Sequence, residues 1–123
     1  MDVFHHVNNT VYFRYFEDAR IAYFEKVGVS GDKKTSHIGP ILASTRCDFR
    51  LPLSYPDTIK IVAWVEDVKE KRFTMKYKVF SEKLAALAAE GEGLVVFYNY
   101  DQGKSCAIPE SIKQTMAELD KSA

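Results

Sequence analysis

The chain has 123 residues, 46% hydrophobic and 13% aromatic, which is enough to bury a core and excludes a disordered chain. Lys and Arg number 17, as do Asp and Glu, and zero net charge argues against nucleic acid or an anionic membrane as the main partner. No apolar run approaches the roughly 18 residues of a membrane span, and Cys47 and Cys106, with no CxxC spacing and no visible secretion signal, read as reduced thiols of a cytoplasmic protein rather than a disulfide or a zinc site.

Asp2, His5, His6, Asn8 and Asn9 crowd the start of the chain. A helix is predicted over residues 9–27. Asn8 or Asn9 can cap it, because an Asn side chain accepts a bond from a free first-turn N–H. Gly28 stands where a helix end often turns left-handed. Val11, Tyr12, Phe13, Tyr15, Phe16, Ala19, Ile21, Ala22, Tyr23, Phe24 and Val27 leave only a narrow polar face of Arg14, Glu17, Asp18 and Glu25. That pattern predicts a central helix covered nearly all round. Residues 29–40 read as a loop. From Ile41 the period becomes two: Ile41, Ala43, Thr45, Cys47, Phe49 and Leu51 alternate with Leu42, Ser44, Arg46, Asp48 and Arg50, a half-buried strand.

Pro52 and Pro56 then demand a turn. Ile59–Val65 is a second strand, apolar on both faces, and Asp67–Arg72 a charged hairpin turn. Phe73, Met75, Tyr77 and Val79 face away from Thr74, Lys76 and Lys78 in a third strand. Leu94–Tyr100 is a fourth. Residues 84–90 favour helix by propensity, yet Gly91 and Gly93 would interrupt one, so this stretch is read as the start of the fourth strand. Pro109 opens a short helix with Ile112, Met116 and Leu119 on one side. The expected architecture is one α+β domain over residues 1–123, an antiparallel sheet with a helix on one face.

The run Asp2-Val3-Phe4-His5-His6-Val7-Asn8-Asn9, followed by Tyr12 and Glu17-Asp18-Ala19-Arg20, resembles the 4-hydroxybenzoyl-CoA thioesterase family. Pro52, Tyr55-Pro56-Asp57 and Ile108-Pro109 also fit its pattern. The resemblance implies a hotdog fold, in which an antiparallel sheet wraps a long central helix. It implies two subunits joined edge to edge, as a homodimer or a dimer of dimers, with sites at subunit interfaces. It also implies hydrolysis of thioesters of coenzyme A or acyl carrier protein. The family's aspartate maps to Asp2. The backbone N–H that polarises the thioester carbonyl maps to Asn9. Two departures stand out: His5 replaces the family's glycine, and the family's first strand is missing from the expected layout.

The chemistry fits those residue types. A helix start offers free N–H groups and about half a positive charge, which stabilise an oxyanion formed on a carbonyl. A nearby carboxylate can take a proton from water or attack directly. Thiolate leaves readily, so no strong general acid is required. Asp2 is thus the candidate base or nucleophile and the Asn9 backbone the oxyanion donor, with a mobile terminal carboxylate and a plain helix cap as the bland alternatives. His6 packs in the turn or serves as a secondary base. Glu17 can orient a water, or pair with Arg14 or Arg20. Tyr12 is a candidate for the acyl pocket, although most of the helix aromatics are core. Lys71 and Arg72 are candidates for coenzyme A phosphates, or belong to an ordinary solvated turn. The adjacent His5 and His6 lack a third metal ligand, and Gly91-x-Gly93 lacks the rest of a nucleotide fingerprint.

The reading is an acyl-CoA thioesterase that needs no metal or organic cofactor. The alternative is a non-catalytic hotdog protein that binds acyl-CoA or acyl carrier protein. Neither nucleic acid nor a membrane is expected as a partner.

Overall fold

The computed structural model describes residues 7–28 and 37–122, with side chains as far as Leu119. Asp2, His5 and His6 lie outside the described residues. Helix α1 (Asn9–Lys26) is followed by strands β1 (Ile38–Phe49), β2 (Ile59–Glu66), β3 (Arg72–Ser81), β4 (Ala86–Asn99) and β5 (Lys104–Ser105), then by helix α2 (Glu110–Ser122). The strands pair antiparallel in the order β1-β4-β3-β2, and β5 adds to β4. This is the α+β hotdog architecture, an antiparallel sheet packed against a long helix.

Asn8, not Asn9, caps α1. Its backbone is extended at φ −66° and ψ 146°, and its Oδ1 accepts the Thr10 N–H at 3.1 Å. At the far end Val27 donates to the Tyr23 carbonyl, and Gly28 takes φ 84°, a left-handed step that costs glycine little.

The core lies between α1 and the sheet. Phe73, Met75, Tyr77 and Val79 of β3 are fully buried, as the alternation predicted, and Ala88, Ala89, Val95 and Phe97 of β4 join them. From α1, Tyr12, Phe16 and Tyr23 press onto this surface. Phe16 stacks on Tyr77 with ring centroids 4.5 Å apart. Gly91 makes that contact possible: a Cβ there would come within 2.6 Å of the Phe16 ring. The two glycines that looked like punctuation are instead a site of close approach inside one long strand. Residues from Ala86 do form the start of β4.

Three expectations are corrected. First, α1 is not covered all round. Within one chain it buries a single side, and Phe13 and Ile21 on the other remain 36% and 49% exposed. A helix lying on one face of a sheet can bury only the stripe that touches it. Second, β1 starts three residues earlier and ends two residues earlier than the predicted 41–51, and it is exposed from Ile41 to Arg46. It begins at Ile38 because Gly39 and Pro40 pair with Tyr98 and Phe97. It is exposed because it forms one edge of the sheet, while α1 packs toward β2. Third, β5 was not anticipated, since two residues carry no periodicity.

The β3–β4 hairpin is tied to the turn before β2. The Asp57 carboxylate accepts from the Ser81 hydroxyl and, at 3.0 Å, from the Lys83 N–H. Ser81 Oγ in turn accepts the Leu84 N–H at 3.0 Å.

Candidate active site

Three pieces of chain meet where α1 begins. Val7 precedes the helix and is held by its N–H donating to the Leu53 carbonyl at 2.8 Å. Asn9 and Tyr12 come from the first helical turn. Phe49, Arg50, Leu51 and Pro52 come from the end of β1 and the bend after it. Together they line a cleft of about 320 Å³.

The first-turn N–H groups are not equivalent. That of Thr10 goes to the Asn8 side chain, and that of Val11 to the Asn8 carbonyl at 3.0 Å. Among the described residues, no acceptor takes the N–H of Asn9. The helix dipole adds partial positive charge at the same point. The cleft therefore borders on a donor suited to an oxygen bearing developing negative charge.

Tyr12 forms a wall of the cleft and is almost wholly buried. Its ring meets that of Phe49 edge-on, with centroids 4.9 Å apart. Burial raises the phenol pKa, opposed by a hydrogen bond from the Leu53 backbone, so Tyr12 stays neutral and offers a surface rather than a base. The Cys47 thiol interacts with Tyr12, and burial pushes it up to about 11, with Asp48 adding to the effect. A thiol held that high is a poor nucleophile near neutral pH.

The other sequence candidates fall elsewhere. Glu17 is exposed and does not line the cleft. Among the described residues no ion pair joins it to Arg14 or Arg20, and Arg20 instead donates to the buried Tyr77 hydroxyl at 3.0 Å. Lys71 and Arg72 are exposed at the β2–β3 turn, at the opposite end of the sheet. Phe49 aligns through Ala89 with Val79, seven residues along β3 from Arg72, which is roughly 23 Å at ~3.3 Å per residue. Within one chain they do not share a site with Asn9 and Tyr12.

Sequence reasoning did not single out Val7, Phe49, Arg50, Leu51 or Pro52 as site residues. The available signal was a lone arginine between Phe49 and Leu51-Pro52, where a strand stops. Nothing in the sequence said that this strand end lies against the start of α1. Among the described residues no three His, Cys, Asp or Glu side chains gather as a metal site would require, and no helix is long and apolar enough to cross a membrane.

Residues 1–116 match the model of the thioesterase-like superfamily. A curated protein of Aquifex aeolicus (strain VF5) that carries an esterase name is 28% identical over 117 residues, covering 94% of this chain and 86% of that protein. Among solved structures, a thioesterase from Thermus thermophilus complexed with coenzyme A and Zn superposes with a TM-score of 0.83 at 26% identity, covering 98% of this chain and 86% of the other. The PA5185 protein of Pseudomonas aeruginosa strain PAO1 gives 0.83 at 25% identity, covering 96% and 82%. With a hotdog fold and a family match over nearly its whole length, the chain belongs to the thioesterase-like superfamily.

Proposed function

We propose that this chain is an acyl-CoA thioesterase whose reaction centre is the cleft at the head of α1. The observation that carries the reading is the Asn9 N–H, which has no acceptor among the described residues at a cleft walled by Tyr12 and Phe49. Membership of the thioesterase-like superfamily supports thioester hydrolysis as the activity, and the coenzyme A bound to the Thermus relative supports the carrier. The enzyme is a thioester hydrolase working on its substrate without a protein-bound cofactor.

In the reaction the thioester carbonyl oxygen accepts from the Asn9 N–H. Asp2 takes a proton from water as the water oxygen adds to the carbonyl carbon. The oxyanion of the tetrahedral intermediate stays at the helix start, where its charge is stabilised. The C–S bond then breaks, the carbonyl re-forms, and thiolate departs with the electron pair. Direct attack by Asp2 on the carbonyl is the covalent variant, giving an anhydride that water opens. Tyr12, Phe49 and Leu51 face the acyl group.

The enzyme works as a cytoplasmic homodimer over the single domain 1–123. β1 supports the dimer: it is a 12-residue edge strand whose Ile41 and Leu42 are each 37% exposed, and open edges of this kind pair with another copy. Antiparallel pairing of two β1 edges turns the second copy end for end. That carries its Lys71 and Arg72 toward the first copy's cleft, on the side of the carrier phosphates. The free cysteines Cys47 and Cys106 fit a reducing compartment.

The test is coenzyme A release from a panel of acyl-CoAs, followed chromatographically, for the wild type and Asp2→Asn. Turnover that falls by about 10²–10⁴ in Asp2→Asn is the expected result for loss of a general base. Equal turnover in both proteins removes Asp2 from the chemistry, and no turnover in either refutes the enzymatic reading.

A further inference from the structure

Among the described residues that line the cleft, Arg50 alone carries a charge. Its backbone is pinned to β4, and its guanidinium is held by Glu90. The N–H groups of Arg50 and Leu51 both donate to the Ala88 carbonyl, at 2.8 and 3.0 Å, which pins the chain where it leaves β1. The guanidinium reaches Glu90 at 2.5 Å, but the Arg50 side chain remains 54% exposed.

An ion pair so open to water contributes little net stability. Glu90 does not depend on Arg50 alone. Lys78 is its neighbour across β3 and β4, and both Lys78 and Lys76 help hold its carboxyl below the ordinary range, after the larger effect of Arg50 itself. When Arg50 swings away, Glu90 keeps two ammonium groups nearby. Arg50 meanwhile presents a planar set of donors matched to the paired oxygens of a carboxylate or phosphate. The rest of the described lining, Val7, Asn9, Tyr12, Phe49, Leu51 and Pro52, offers no second charge to such a group.

We infer that Arg50 sets the specificity of the cleft by leaving Glu90 to bind an anionic group of the substrate, while Glu90, which lines a separate pocket with Lys76 and Lys78, holds the guanidinium outside the cleft between turnovers. The inference rests on the thioesterase reading and deepens it, because it says which part of the substrate the cleft selects. That anion is either a carboxylate on the acyl group or a phosphate on the carrier.

Four thioesters separate the two sources: butyryl-CoA, succinyl-CoA, and the butyryl and succinyl esters of N-acetylcysteamine, a carrier with no phosphate. Steady-state kinetics are measured for the wild type, Arg50→Gln, Arg50→Lys and Glu90→Gln, each shown by its thermal midpoint to be folded. Loss of a charge-assisted contact in Arg50→Gln raises KM about tenfold more for substrates carrying the recognised anion than for the others. If the anion is an acyl carboxylate, the rise is seen with both succinyl esters. If it is a carrier phosphate, the rise is seen with both CoA esters. Arg50→Lys retains part of the effect, and Glu90→Gln, which removes the competing carboxylate, lowers KM for the same substrates. Unchanged KM for all four esters in Arg50→Gln, or a raised KM in Glu90→Gln, overturns the inference while leaving thioesterase activity standing. A wild type that hydrolyses none of the four refutes the underlying reading, and this inference with it.

Discussion

Substituting Gly91 by alanine tests how the helix is seated on the sheet. A methyl group at this position would lie 2.6 and 2.8 Å from two carbons of the Phe16 ring, and closer still to the Arg46 carbonyl. Unstrained carbon contacts are about 3.5–4.0 Å, so the overlap is close to 1 Å. Phe16 cannot simply swing aside, because it is fully buried and stacked on Tyr77. The Arg46 carbonyl belongs to the β1–β4 ladder, where Arg46 pairs with Glu92 and Cys47 with Gly91. Overpacking of this kind costs about 1–3 kcal/mol, and a backbone obstacle puts it near the top of that range. Alanine also restricts the unfolded chain, which offsets about 0.4–1 kcal/mol. The net loss is about 2 kcal/mol. At roughly 2.1 cal/mol/K per residue, a 123-residue chain has an unfolding entropy of about 0.26 kcal/mol/K. The expected fall in Tm is therefore about 8 °C, read by differential scanning calorimetry. Shortening the ring in a Gly91→Ala/Phe16→Leu double variant recovers part of what the two single losses would sum to, since the residues touch. A Tm for Gly91→Ala within about 2 °C of the wild type, or strict additivity in the double variant, would refute this account of the packing.

Two further predictions concern titrating groups. Burial holds the Cys47 thiol up to about 11, so at pH 8 only about one molecule in a thousand carries the thiolate that attacks a thiol dye. Modification of Cys47 is slow at that pH and accelerates about tenfold per pH unit until the thiol titrates, and Cys47→Ser abolishes this phase; fast labelling of Cys47 at pH 8 contradicts its placement. Asp57 behaves in the opposite sense. Its carboxyl is held below the ordinary 3.8, first by the Ser81 hydroxyl and then by the Lys83 N–H. A depressed folded-state pKa stabilises the protein fully above the unfolded value, and the benefit disappears as pH falls through the folded value. The Tm gap between the wild type and Asp57→Asn is thus widest above about pH 4 and narrows below it; a gap that stays constant from pH 6 to pH 2.5 removes Asp57 from the acid limb.

Much of the architecture was legible because it follows from local periodicity. The alternation Phe73, Met75, Tyr77, Val79 can put its apolar residues on one side only as a strand, and all four are fully buried. Asn8 and Gly28 mark the ends of α1 through side-chain hydrogen bonding and a left-handed backbone, both properties of the residues themselves. The helix start was also recognisable as a donor surface, since free first-turn N–H groups are a property of any helix. What stayed hidden was everything that depends on which elements become neighbours. The composition of α1 suggested burial on every side, but one chain covers only the stripe facing the sheet, and Phe13 and Ile21 stay open. The period of β1 suggested half-burial, but an edge position left most of it exposed. Lys71 and Arg72 stood in sequence as candidates for coenzyme A phosphates or as a solvated turn, and the sheet places the β2–β3 turn at the end away from the helix start.

The amino-acid order by itself determined the helix and the four main strands, the family, and a cap at Asn8 or Asn9, because each is written in spacings of a few residues. Only the tertiary structure decided the cleft. It brings Arg50 of a strand end to Asn9 of a helix start, 41 positions apart in the chain, and it gives Gly91 its meaning as the place where Phe16 comes through to Tyr77. Contacts of that range are set by how the packed sheet and helix exclude water together, and no local pattern encodes them.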